Sequence, residues 1–278
     1  MSTPVNPAPQ NPASSESQLT PEILSSLLRD QAWRQHRVLI MDTAQGKIVI
    51  KAQRPARGPA RYKLLNLIAS LLKSPFLKAA PAWGGERAQE IEVRRLKALA
   101  ELGFPVPALL HVDRDFFVMR SLGEGNLAHT IQTEPKRAYE AWHRGGVLLL
   151  QVHIQGQYLS QAFARNFILH EGKLGLIDFE DDPLEVMSLA QAQVRDWLAY
   201  LHSTVWLMPE HQNAMASQLD TWLKQESMEV QYLMEQAAKR LAWMRRFSAN
   251  RKRWGRDMVS IQAVGQLLHY WLQQKTNR

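Results

Sequence analysis

The fold is decided by the stretch RNFILHEGKLGLIDF, which spans residues 165–179. It contains two runs of β-type residues, 167–169 and 174–177, on either side of the turn pair Glu171-Gly172. Apolar runs that flank a short turn containing glycine are typical of a β-hairpin. The stretch therefore predicts two short antiparallel strands.

Two oxygen-bearing side chains flank this hairpin, since Asn166 directly precedes its first strand and Asp178 directly follows its second. Because the strands of a hairpin are antiparallel, we expect the two residues to lie side by side. Mg²⁺ prefers one or two protein oxygens together with water and phosphate oxygens, so this pair suits a metal–nucleotide site. The alternative is that both residues are ordinary turn and capping residues of the hairpin.

Strands predominate in the first part of the chain and helices in the last half. Residues 37–41 and 47–51 predict a hairpin with Gly46 in its turn, and 108–112 and 116–119 are strand-like. Helical patterns cover residues 87–102, 136–154, 187–207, 210–225, 227–248 and 258–274. This segregation predicts an α+β chain with a small antiparallel-sheet lobe and a larger, mainly helical lobe.

The arrangement of Asn166 and Asp178 on either side of this hairpin resembles that of the protein-kinase-like superfamily. Within that superfamily it is similar to the small bacterial branch of lipopolysaccharide-core kinases, which act on heptose and Kdo sugars. In that family the corresponding asparagine and aspartate bind the metal ions. The resemblance covers residues 36–205. It implies a two-lobed kinase-like fold, with ATP and Mg²⁺ as cofactors.

Other residues of the pattern follow in the family's order. Lys51 is similar to the lysine that binds the α- and β-phosphates, and Glu92 to the helix glutamate that pairs with it. The segment 116–123, with Met119, resembles the strand and hinge against which adenine packs. Asp196 is similar to the buried helix aspartate that holds the catalytic loop through its backbone. The alternative for Lys51 and Glu92 is that they are surface residues of a strand and a helix.

The chain departs from the family pattern at two places. Gln161 occupies the position of the general base, and Leu159 that of the histidine two residues before it. Between Arg37 and Lys51 the sequence has a single glycine, Gly46, so the glycine-rich phosphate loop is missing. Loss of a general base costs about 10²- to 10⁴-fold in rate, which predicts slow phosphotransfer. The alternative function is that of a pseudokinase, which binds a partner or an anionic surface without turnover.

Three acidic residues, Glu180, Asp181 and Asp182, follow closely on Asp178. Acidic runs before a proline are typical of solvated loops, and we expect that environment here rather than a second metal site. A second interpretation is that one of the three replaces the missing base.

Positive charge is concentrated in two segments of this chain, whose net charge is +8. Residues 52–86 predict a basic amphipathic helix, and the basic cluster, residues 237–256, carries eight Lys and Arg and no acid. We expect 52–80 and the basic cluster to attract an anionic glycolipid or membrane surface. A helix packed on its own domain and a solvated basic face are the alternatives. Nucleic acid is disfavoured because none of its usual binding motifs occurs.

Composition limits the chemistry further. The chain has no cysteine, which excludes disulfides and thiolate metal sites, and no apolar run long enough to span a membrane. We expect a cytoplasmic protein, peripheral at the inner membrane through its basic segments. The expected organisation is a disordered tail at 1–19, an N-lobe at 20–122 that includes the 52–86 insertion, and a helical C-lobe at 123–278.

Overall fold

The computed structural model describes residues 18–30, 32–34, 36–53, 84–248 and 250–277. It confirms an α+β chain with a small antiparallel sheet and a larger helical part. The chain divides into two compact units. In the described residues, the smaller unit contains 18–53 and 108–121, and the larger unit contains 84–107 and 122–277.

The smaller unit is a four-stranded antiparallel sheet preceded by one helix. The helix is α1 (Pro21–Asp30), and the strands are β1 (Val38–Thr43), β2 (Gly46–Ala52), β3 (Leu109–Val112) and β4 (Phe116–Arg120). The strands lie in the order β1-β2-β4-β3. The predicted hairpin at 37–51 and the two predicted strands after residue 107 are confirmed.

One face of this sheet carries the core of the smaller unit. Alternate residues of β2 and β4 are fully buried on it, together with Leu27 of α1 and Trp33; these sheet residues are Ile48, Ile50, Phe116 and Val118. The Trp33 ring lies 4.5 Å from the Phe116 ring. Since successive side chains of a strand point to opposite faces, the residues between these apolar ones lie on the other face.

The larger unit consists of seven helices and a separate two-stranded sheet among its described residues. The helices are α2 (Gly85–Glu101), α3 (Leu127–Thr133), α4 (Pro135–Ile154), α5 (Leu189–Thr204), α6 (Gln212–Leu223), α7 (Met228–Leu241) and α8 (Arg251–Thr276). The strands are β5 (Phe167–His170) and β6 (Lys173–Leu176). The predicted helices are confirmed, with short 3₁₀ segments at some ends; α3 was not predicted, because at seven residues it is too short to show a clear period.

The core of the larger unit contains closely packed aromatic rings. Trp222 of α6 lies 4.7 Å from Trp142 of α4 and 5.4 Å from Trp197 of α5. All three indoles are buried. A Cβ at Gly146 would come within 2.2 Å of the Trp222 ring, so the close approach of α4 and α6 requires glycine there.

Two predicted segments lie largely outside the described residues. These are the disordered tail at 1–19, of which only residues 18 and 19 are described, and the basic amphipathic segment at 52–86, of which only the ends are described. Among the helices that the structure describes, none is both long enough and apolar enough to cross a bilayer.

Candidate functional site

The β5–β6 hairpin brings Asn166 and Asp178 to the same end of the small sheet. Its turn residues Glu171 and Gly172 both have positive φ, 49° and 75°, as two-residue hairpin turns require. Beyond the last strand pair, the Ile177 amide donates to the Asn166 carbonyl oxygen at 3.0 Å. The predicted juxtaposition of the residues that flank the hairpin is therefore confirmed at the level of the backbone.

Three carboxylates converge at this end of the hairpin. Glu92 of α2, Asp178 and Glu180 each offer an oxygen, and these oxygens lie within 4.8 Å of one another. Glu92 and Glu180 are buried, at 2% and 7% exposure, and Asp178 is half-buried. Oxygen ligands at this spacing suit a hard cation such as Mg²⁺. We call Glu92, Asp178 and Glu180 the carboxylate cluster.

The burial of Glu180 and Asp182 corrects one expectation. The acidic run was predicted to be solvated, but both residues are buried and only Asp181 is partly exposed. The prediction was wrong because a run of acids in sequence does not show which of its members a distant helix covers. Here helix α2, eighty to ninety positions earlier, contributes both Glu92 and a cationic partner for Asp182.

Asp182 is held by three donors. Arg94 of α2 donates to its Oδ2 at 2.7 Å, and the Tyr158 hydroxyl donates to Oδ1 at 2.8 Å. The Leu184 amide donates to the same oxygen at 3.1 Å, which caps the short 3₁₀ turn after Pro183. Asp182 is therefore a structural residue that joins α2 to the loop after β6, and it is not available to accept a proton from a substrate.

Arg95, the neighbour of Arg94, anchors α2 a second time. Its guanidinium donates to Gln157 Oε1 at 2.8 Å and to the Tyr158 carbonyl oxygen, and it lies 3.9 Å from the centre of the Tyr158 ring. Burial lowers the pKa of Arg95 and raises that of the Tyr158 hydroxyl. Sequence analysis missed this anchor, because the helical pattern shows which face is apolar but not which loop the helix contacts.

The segment between α4 and β5, residues 155–166, is fixed by Asp196. The Oδ2 of Asp196 accepts a hydrogen bond from the Leu159 amide at 2.6 Å, and the Asp196 side chain is completely buried. This bears out the prediction that Asp196 holds the 155–166 segment through its backbone. Next to Leu159, Ser160 has a positive φ of 67°, and Asp178 has one of 72°. Such values are uncommon for residues other than glycine and often occur at functional sites.

His153 lies between Asp196 and a second buried carboxylate, Glu226. Its Nδ1 is 2.7 Å from Glu226 Oε1, and its Nε2 is 3.6 Å from Asp196 Oδ2. Glu226 Oε1 also accepts the Trp197 indole N–H at 2.7 Å. Burial by itself lowers the pKa of His153, but the hydrogen bonds and charges of the two carboxylates outweigh it and raise the pKa above the ordinary value. A positive charge on His153 therefore compensates negative charge on Asp196 and Glu226, and Asp196 is the residue that holds the 155–166 segment.

Gln161 belongs to the same segment and lies beside Asn166 and Asp181. Its carbonyl oxygen accepts Asn166 Nδ2 at 2.9 Å, and its side-chain amide donates to Asp181 Oδ2 at 3.1 Å. Asn166 itself is buried. The structure thus brings Gln161, Asn166, Asp178 and Glu92 together in the larger unit.

Lys51 and Met119 belong to the smaller unit. Both side chains lie on the face of the sheet opposite its apolar core, because Lys51 pairs with Phe117 and Met119 with Val49, two residues before Lys51. Each is buried, at 7% exposure. The alternative interpretation, that Lys51 and Glu92 are ordinary surface residues of a strand and a helix, is therefore wrong.

Comparison with models of known protein families gives no match. A search of curated proteins gives no match either.

Proposed function

We propose that this chain is an ATP-dependent phosphotransferase of the protein-kinase-like type, which transfers the γ-phosphoryl group to a hydroxyl group. The observation that carries the proposal is the carboxylate cluster at the end of the β5–β6 hairpin, where the backbone carbonyl of Asn166 accepts the Ile177 amide next to Asp178. Support also comes from the order of the pattern residues in the sequence and from Asp196, whose carboxylate fixes the Leu159 amide.

In this proposal Asn166 and Asp178 would hold Mg²⁺, which would supply positive charge against the charge that develops on the phosphates. Glu180 lies within reach of the same ion and adds a carboxylate where the family pattern has glycine. The positive φ of Asp178 turns the chain between β6 and Glu180, so that residues two apart can face one centre. Lys51 is proposed to bind the phosphates, and Met119 is proposed to pack against the adenine.

Gln161 decides how fast such an enzyme can be. An amide does not accept a proton near neutral pH, so Gln161 can orient a hydroxyl group but cannot deprotonate it. Its side chain donates to Asp181, which brings a carboxylate next to the position of the missing base. We infer that Gln161 positions the acceptor hydroxyl group and that Asp181 takes its proton. This supports slow chemistry rather than none.

The second candidate function is a pseudokinase, and the amide at position 161 favours it. The two functions differ in their response to Gln161→Asp. A gain in transfer of up to about 10²- to 10⁴-fold is expected if Asp181 only poorly replaces a base at position 161. Unchanged, undetectable transfer with intact nucleotide binding is the result for a scaffold.

The acceptor and the location of the protein are part of the proposal. The resemblance to lipopolysaccharide-core kinases favours a core sugar as acceptor and a cytoplasmic protein peripheral at the inner membrane. The exposed cations of the basic cluster support this, although Lys239 is paired with Glu235 at 2.6 Å and the side chains of residues 251–254 are not described. Attraction to an anionic surface falls with added salt.

The test is transfer of label from γ-labelled ATP to lipopolysaccharide core oligosaccharide by the purified chain with Mg²⁺. Wild type is expected to label the acceptor, and Asp178→Asn is expected to lower labelling to the background without enzyme. Glu229→Gln is the matched control, because it also replaces a carboxylate with an amide, but on an exposed residue of α7. Equal labelling by wild type and Asp178→Asn would refute the proposed metal site.

A further inference from the structure

The larger unit contains a cavity of about 430 Å³ that the proposed metal site does not use. It lies between α3, the 155–166 segment, the end of α5 and the first half of α8. Its polar lining is mostly basic or neutral, with Arg165, His202, Ser260 and Arg256. Apolar and aromatic side chains form the rest of the wall, including Phe163 and Trp206.

Arg165 presents a positive charge to this cavity. Its guanidinium lies 4.5 Å from the centre of the Phe163 ring, which holds it over that aromatic face. Among the described residues no carboxylate forms an ion pair with Arg165. A planar guanidinium has donors spaced for two oxygens of a phosphate or carboxylate, so Arg165 is suited to bind an anion.

Arg256 brings a second positive charge, and it belongs to the basic cluster. It follows Gly255, whose φ of 78° and ψ of 174° interrupt α8, so that a second helical stretch begins at Arg256. The first amides of a helix attract anions, and a cation beside them adds to that attraction. The one lining carboxylate, Asp257, lies 3.9 Å from Arg256 and has a side chain that is 84% exposed to solvent.

The inner part of the cavity offers neutral polar groups. The Nε2 of His202 lies 3.3 Å from the Ser260 hydroxyl, and Ser260 is 2% exposed. Burial lowers the pKa of His202, so the imidazole is neutral near pH 7 and can donate or accept a hydrogen bond. These groups suit the hydroxyl and ester oxygens of an organic molecule.

We propose that this cavity binds a small organic phosphate monoester. The phosphate lies between Arg165 and Arg256, and the organic part lies against Phe163 and Trp206 and reaches His202 and Ser260. The volume is in the range of small-molecule pockets and is several times that of a phosphate ion, so an organic part is needed to fill it. None of the proposed metal ligands lines this cavity. The proposed phosphate site therefore does not depend on the proposed phosphotransferase activity.

Isothermal titration calorimetry on the full chain tests the proposal, with glucose 6-phosphate as the probe and glucose and inorganic phosphate as comparisons. We expect glucose 6-phosphate to bind more tightly than either. Arg165→Gln and Arg256→Gln are each expected to weaken binding by about tenfold to a hundredfold, the effect of losing a charged hydrogen bond. Arg246→Gln is the matched control, because it removes an exposed cation of the basic cluster that does not line the cavity.

Ala128→Trp separates filling of the cavity from general attraction to positive charge. Ala128 lines the cavity from α3, and the substitution blocks the space without removing a cation. Binding is expected to disappear in this variant, with its melting temperature measured as the check on folding. Vesicles that contain phosphatidic acid test a lipid headgroup as the source of the phosphate. Vesicle binding that Ala128→Trp abolishes and Arg246→Gln retains supports the cavity.

Three results would overturn the proposal. The first is no heat of binding from wild type with either the sugar phosphate or the vesicles. The second is equal weakening by Arg246→Gln and Arg256→Gln, which is the behaviour of a diffuse basic surface. The third is unchanged binding by a folded Ala128→Trp variant.

Discussion

Asp196 gives the most quantitative test of how the candidate site is held. Asp196→Ala removes the acceptor of the buried Leu159 amide, at 2.6 Å, and one of the two carboxylates that flank His153. A hydrogen bond to a charged group contributes about 1.5–3 kcal/mol. After this change Glu226 still lies 2.7 Å from His153, so the imidazole keeps a buried carboxylate partner and loss of the longer ion pair adds little. We therefore expect a total of about 1.5–3 kcal/mol, set mainly by the lost hydrogen bond to the Leu159 amide.

Urea unfolding monitored by tryptophan fluorescence measures this change, since Trp197 and Trp222 are buried in the same unit. The expected fall in melting temperature is roughly 3–12 °C at about 2–4 °C for each kcal/mol. Asp196→Asn keeps an acceptor for the Leu159 amide but loses the charge, so its effect should be smaller. Asp42→Ala is the control, because the Asp42 side chain is 88% exposed and should change stability by no more than about 0.5 kcal/mol. A loss below about 1 kcal/mol in Asp196→Ala would refute the reasoning.

Three further predictions concern the packing and charges of the larger unit. Gly146→Ala should lower the free energy of unfolding by about 1–3 kcal/mol in denaturant titration, because the new Cβ overlaps the Trp222 ring; a gain in stability would contradict the packing. Tyr158→Phe should cost about 1.5–3 kcal/mol through the lost hydrogen bond to the Asp182 carboxylate, and an unchanged urea midpoint would show that this bond is not formed in solution. The pKa of His153 is raised on folding, so its contribution to the free energy of unfolding is complete below its unfolded pKa and is lost as pH rises through the folded pKa. The difference in unfolding free energy between wild type and His153→Gln should therefore shrink as pH rises through that range. A difference independent of pH would contradict the raised pKa.

The local parts of the fold were predictable from the sequence. The β5–β6 hairpin follows from two β-type runs around Glu171-Gly172, and the antiparallel pairing alone brings Asn166 to the same end as the residues after β6. The strands of the smaller unit and the long helices of the larger one follow from apolar patterns of period two and 3.6. These signals depend on neighbours within a few residues, which is why they can be read directly.

The environment of the acidic residues was not predictable in the same way. Glu180 joins Glu92 in the carboxylate cluster, and Asp182 binds Arg94, so both partners come from a helix that is far away in sequence. Nothing in the spacing of α2 shows which loop its polar side chains contact. The short helix α3 was missed for a different reason, since two turns are too few to establish a period.

The central claim is that Asp178 and its neighbours hold a metal–nucleotide complex, and a thermal-shift titration with ATP and Mg²⁺ tests it most directly. Ligand at a hundred times its dissociation constant stabilises the folded state by about 2.7 kcal/mol, which raises the melting temperature by roughly 5–11 °C. We expect this rise in wild type and Glu229→Gln only when ATP and Mg²⁺ are both present, and no rise in Asp178→Asn. An unshifted wild type, or an equal shift in Asp178→Asn, would contradict the claim.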